Sequence, residues 1–327
     1  MLRHPSGLVT LVRLVDRLPW PAEPTKPSRG RPKTYSDRLI VQALVGMRMR
    51  RLYTAYAFLA FLDQDEPLPQ QWRPLLSEPG RFPTRRTWER RLATLPQRLP
   101  GLIGCVGRSL VRLLPPWSRQ GRAVAVDSTP WETGGGIWHK NHREQGVIPQ
   151  TSLDTDAGWS TSGWHGWWYG WKRHRAVTVG AVWRPLAAEW PVAHCGDNEV
   201  APIVLDQLPW EVRDVLGAPH DNDPELRDHC PQRGWDLVAT RRGPQPHRAS
   251  GVEVRKGVHT LRSQAIAPFN GLFKNVFEWR VKMPVKGLQR SQLLALGAVV
   301  LYQLALLYQH EHNLPLGKGI KPLLRAA

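Results

Sequence analysis

Apolar residues recur at helical spacing in the N-terminal third of the chain and at alternating or continuous spacing further on. MLRHPSGLVTLVRLVDRLPWP interleaves Leu and Val with Arg13, Asp16 and Arg17, which predicts a short amphipathic helix and breaks the apolar run that a signal peptide needs. DRLIVQALVGMRMRRLYTAYAFLAFL predicts one helix from Asp37 to Leu62, with Ser36 as its N-cap. PTRRTWERRLATLP predicts a short basic helix capped by Thr84. From Arg122 the texture changes to short strands, AVAVDST, HRAVTVGAV and PLAAEWPVA. A helix (NEVAPIVLDQL), a strand (VRDVLGA), a helix (PELRDHCPQRG), a strand (DLVAT) and helices over 259–280 and 291–312 follow. A meander succeeded by alternating helices and strands predicts an α/β fold, a mixed sheet with helices on both faces.

The Pro-rich and basic stretch PAEPTKPSRGRPKTYS, 21–36, reads as a linker or extended arm. The division that follows is a helical domain over 1–115, an α/β domain over 116–312 and a basic tail over 313–327. The apolar run LLALGAVVLYQLALLY, 293–308, is shorter than a bilayer span of about 20 residues and contains Gln303, so it reads as a buried helix.

Charge directs attention to polyanions. Lys and Arg number 45 against 27 Asp and Glu, a formal charge of +18, and they are spread along the chain instead of lining one amphipathic helix, which favours nucleic acid over a membrane surface. Arg85, Arg86, Arg90 and Arg91 on the capped helix suggest a helix-turn-helix-like DNA contact, and Arg31 and Lys33 lie in the basic arm. Cys105, Cys195 and Cys230 have neither disulfide nor zinc spacing, which fits a reducing cytoplasm. His139 and His142 have no second pair to complete a zinc site. Five of the sixteen tryptophans crowd into GWSTSGWHGWWYGW, which reads chiefly as an aromatic set around a Gly-rich hairpin, with one or two rings available to stack on unpaired bases.

The stretch AVAVDSTPW places Asp127 where a buried strand gives way to hydroxyls, a position suited to chemistry in an open sheet and equally to capping a turn. AVDST, YGWKRH at 169–174, HTLRSQAIAPFNGLFK at 259–274, FPTRRTWERRL and the C-terminal apolar helix together resemble, in order, segments of the insertion-sequence DDE transposases. The resemblance implies an RNase H-like catalytic domain preceded by a helical DNA-binding domain, double-stranded transposon ends and target DNA as partners, and a dimer on DNA. It implies two Mg²⁺ (or Mn²⁺) ions held by three carboxylates for strand cleavage and transfer. Asp127 would be the first metal-binding acid, and Lys172, Arg262 and Lys274 would hold the DNA backbone. Ala218 and Ala267 stand where the second and third acids belong. Asp221 is the nearby candidate substitute for the second, and Asp223 reads as the cap of a helix starting at Pro224. Glu253 falls in an expected loop, and the signature helix is expected to start late, near Pro268. Two expectations follow: a transposase that cuts and joins DNA with magnesium, or a catalytically silent DNA-binding derivative.

Overall fold

The computed structural model describes residues 7–21, 34–78, 80–114, 122–163, 166–218, 223–239, 249–277 and 282–325, with the side chains of 249–256 and 258 left aside. Six helices come first: α1 (Gly7–Leu14), α2 (Asp37–Met49), α3 (Ala55–Leu62), α4 (Pro67–Leu75), α5 (Arg85–Thr94) and α6 (Leu99–Leu113). The caps are as the sequence suggests, since Ser36 Oγ accepts from the Leu39 amide and Thr84 Oγ1 from the Thr87 amide. The single helix expected over 37–62 is in fact two. Arg51 takes a left-handed φ of 56° and Thr54 caps a new start, while the buried Arg48 guanidinium donates to the Leu52 carbonyl and so ties down the break.

The sheet follows, as β1 (Ala123–Glu132), a short α7 (Lys140–Glu144), β2 (Gly158–Ser162), β3 (Gly166–Thr178), β4 (Pro185–Glu189), α8 (Asp197–Leu205), β5 (Asp214–Gly217), α9 (Pro224–Gln232), β6 (Asp236–Ala239) and the long α10 (Ala249–Phe277). Then come α11 (Leu288–Glu311) and α12 (Ile320–Arg325). Strand β3 pairs antiparallel with β1, β2 and β4, whereas β5 joins β1 in parallel and β6 joins β5 in parallel. An antiparallel meander with two parallel strands added on its far side, each reached through a helix, is the RNase H-like arrangement. One face of the sheet packs Val124, Val126 and Ala176 against Val200, Val204 and Leu205 of α8 and Leu226 of α9. The opposite face carries α10, whose Phe269 lies over Arg175 and whose Phe273 lies over Arg173.

Three expectations are corrected. Strand β1 does not exit at Asp127: its pairing with β5 covers only Ala123–Ala125, but its ladder with β3 continues to Glu132, so the acid lies mid-strand beside the end of its shorter neighbour. Helix α10 begins at Ala249, so the GVEVRKG segment is helical. The helix also runs through Pro268, whose ring lies on its exposed side, and so does not start late.

The chain groups into two compact units, residues 1–109 with 292–327, and residues 110–291. The segment from Gln292 onward thus groups with the N-terminal helices. In that unit Gln303 is buried and donates to the Ile103 carbonyl, and the short α12 buries Ile320 and Leu324. The 24-residue α11 is long and apolar enough to cross a membrane, yet 78% of its most apolar window is buried in the protein, which makes it a core helix.

Tight backbone approach fixes the sheet at Gly170, where a Cβ would collide with the Trp131 carbonyl oxygen across the β1–β3 ladder. Gly170→Ala is expected to cost about 3 kcal/mol or more, read as a lower midpoint in urea denaturation.

Candidate functional site

Asp127 and Arg175 are register partners on β1 and β3, so their side chains leave the sheet on the same face. Arg262, reaching from α10, approaches Asp127 Oδ1 at 3.4 Å, with both side chains largely buried. Arg175 is 1% exposed and donates to Thr129 Oγ1 at 2.9 Å. Arg173, fully buried two residues earlier, donates to Asn270 Oδ1 at 3.2 Å and packs on Trp131 and Phe273. Lys274 lies 5.1 Å above the Trp131 ring. This face of the sheet therefore gathers four cationic side chains around or beside one aspartate.

The electrostatics reflect that excess. Burial pushes the Arg175 guanidinium down to about 10 against the opposing pull of Asp127, and burial together with Arg175 holds Arg173 well below its ordinary range. Lys274 is lowered by burial and then by Arg173 and Arg175. Among the described residues, Nε and Nη1 of both buried arginines have no hydrogen-bond partner; aromatic rings cover both groups, and the charge of Asp127 acts on Arg175.

The positions that the resemblance assigns to acids now have a geometry. The parallel register sets Ala125 opposite Leu216 and ends there, and buried Ala218 follows directly after the last residue of β5. Along α10, the residue one turn after Arg262 on the same face is Ile266, which is 3% exposed, whereas Ala267 is exposed. Neither side chain carries an oxygen. Among the described residues no three His, Cys, Asp or Glu side chains are grouped to hold a metal ion. Among the described residues the donor set does not fit a pair of divalent cations, since hard cations require several oxygen ligands and here Asp127 is flanked by guanidinium groups. Asp221, Arg31 and Lys33 lie outside the described residues, while Asp223 caps α9 by accepting from the Glu225 amide at 2.9 Å.

Lys172 does not join Arg262 and Lys274. Alternation on β3 turns it to the opposite face, where its Nζ donates to Asp197 Oδ1 and to the Cys195 carbonyl, both at 3.1 Å. His174 lies on that face too, 3.7 Å from Asp197, and Ser128 Oγ donates to Asp197 Oδ2 at 3.0 Å. Asp197 stands in the first turn of α8, so the cluster anchors that helix to the sheet. On α5, Arg85, Arg86 and Arg90 are exposed, Arg85 pairing with Glu89 at 2.8 Å, but Arg91 turns inward to Asp37 and the Tyr35 carbonyl. Arg91 is thereby a structural residue and not part of the basic face.

The Gly-rich tryptophan segment forms the expected hairpin, with Trp159 opposite Tyr169 and Thr161 opposite Trp167. Trp168 and Trp171 are buried, whereas Trp167 is 72% exposed. The burial of Arg173 and Arg175 is not anticipated in the sequence reading. Its signal is parity, since both continue the alternate-residue series of Tyr169 and Trp171.

No protein-family profile matches the chain, and no curated protein does. Among solved structures it is similar to a piggyBac transposase determined in a synaptic complex with hairpin DNA, with 8% identity and a TM-score of 0.42, covering 98% of this chain and 75% of that one.

Two substitutions separate the charges. Asp127→Asn is expected to cost about 2 kcal/mol, because it leaves Arg175 buried without its carboxylate. Lys274→Met is expected to stabilise by about 1 kcal/mol at neutral pH, because a desolvated cation beside two arginines is removed. A lysine whose folded value is lowered binds its proton more tightly when unfolded, so wild-type stability should rise as pH climbs through the window below 10.5, and the gain from Lys274→Met should shrink. Denaturant titrations of all three chains at several pH values check both signs.

Proposed function

We propose that the chain is a transposase-type DNA-binding protein whose RNase H-like unit holds the nucleic-acid backbone and has relinquished metal-dependent strand cleavage. One observation carries the reading: Asp127 is attended by the guanidinium groups of Arg175, its register partner, and Arg262, 3.4 Å away. A carboxylate so attended is disfavoured as a ligand for a divalent cation, which needs several oxygens. The overall charge of +18 supports a polyanionic partner, and exposed Arg85, Arg86 and Arg90 supply a basic face on the helical unit. Duplex DNA, including element ends and their targets, is the partner this reading implies, with two chains on a pair of ends.

The test combines duplex-DNA anisotropy with Mn²⁺ calorimetry and a nicking assay. Expected are duplex binding with a steep salt dependence, no paired metal sites and no cleavage. Replacing Arg86 and Arg90 together by Ala should reduce the slope of log K against log salt by about 2. Magnesium-dependent nicking that Asp127→Asn abolishes would restore the enzymatic reading, with Asp221 the first acid to substitute next. Failure to bind duplex at about 100 mM salt would overturn the proposal altogether.

A further inference from the structure

The sheet unit carries a second candidate surface away from Asp127. Between α7 and the β2–β3 hairpin lies an open groove of about 830 Å³, lined by His139, Lys140, Arg143, Glu144, Trp159 and Trp167. The Trp167 indole is 72% exposed and forms a wall of this groove beside basic side chains, which sets it apart from an apolar ring standing alone on a surface. Behind it the Trp159 ring stands edge-on, with centroids 6.4 Å apart and planes at 75°, and Trp159 is in turn held by Tyr169 at 5.3 Å and His139 at 6.5 Å. The platform is therefore braced from below and bare above.

We infer that this groove takes an unpaired base of a nucleic-acid strand, the base stacking on Trp167 and its backbone phosphate meeting Lys140 and Arg143. The inference rests on the DNA-binding reading above. Charge selects the ligand class. An aromatic cage for a cationic ligand needs a rim free of competing cations. Here Lys140 and Arg143 face the groove against Glu144 alone, and Lys140 already lies 3.6 Å from that carboxylate. Stacking is indifferent to base identity, because every base offers a π-face, so the groove selects single-stranded or extruded bases without selecting sequence. Alternation along β3 puts Trp167 on the same face of the strand as Arg173 and Arg175, but α10 covers those two, so this face is open to a ligand at the hairpin end.

The experiment measures anisotropy with the full chain, a labelled single strand of about 20 nucleotides and the same strand as duplex. Trp167→Ala is expected to weaken single-strand binding about tenfold and to leave duplex binding unchanged, and Trp167→Phe is expected to retain most of the affinity. A Trp167→Ala chain that binds single strands as the wild type does, or loses both forms equally, overturns the groove assignment and leaves duplex recognition standing. A mononucleotide that binds as tightly as the oligonucleotide overturns the assignment to a strand. A wild-type chain that binds single strands alone ends the duplex reading, while the groove is then judged by Trp167→Ala. Binding of neither form ends both.

Discussion

A guanidinium removed from water must find oxygen, a π-face or a carboxylate, and Arg173 and Arg175 bring that demand to the centre of the sheet. The β1–β3 ladder answers part of it by placing Thr129 and Asp127 beside Arg175. Helix α10 answers the rest with Asn270 and the rings of Phe269 and Phe273. This fixes which face α10 covers and which of its residues turn inward, so Arg262 arrives at Asp127 as a consequence of packing. Strong cation binding at Asp127 would require these same guanidinium groups to withdraw. The fold and the chemistry of the cleft are in that sense one arrangement.

The features legible in the sequence are local ones. Ser36, Thr84 and Asp223 with Pro224 announce helix starts through side chains acting within three residues, and each caps as expected. The β-branched and small residues of β1 and β5 mark buried strands on their own account. What escapes a linear reading depends on partners distant in the chain. Arg91 looks like one more cation on a basic helix until Asp37, 54 residues away, turns it inward. The break at Arg51 depends on a buried arginine bonding to a carbonyl. The extent of β1 depends on β3 continuing after β5 has stopped, and the division of the chain depends on α11 and α12 belonging with the first helices.

The two faces of the sheet show how one strand separates charge into two chemical roles. Even-numbered Lys172 and His174 meet Asp197 and fasten α8, whereas odd-numbered Arg173 and Arg175 face α10 on the side of the sheet that carries Asp127. Four consecutive basic residues thus form no continuous patch. Half of them meet an internal acid, and the other half lie buried beneath α10.

Strand β3 is 13 residues long and unbroken from the hairpin to the sheet centre. Trp167 and Arg175 stand eight residues apart on one of its faces, a separation of roughly 26 Å at about 3.3 Å per residue. One end of that face is open and the other is sealed, since Trp167 is exposed while Arg175 lies under α10. A ligand therefore meets this strand at its hairpin end, and the buried end serves the packing of the helix alone.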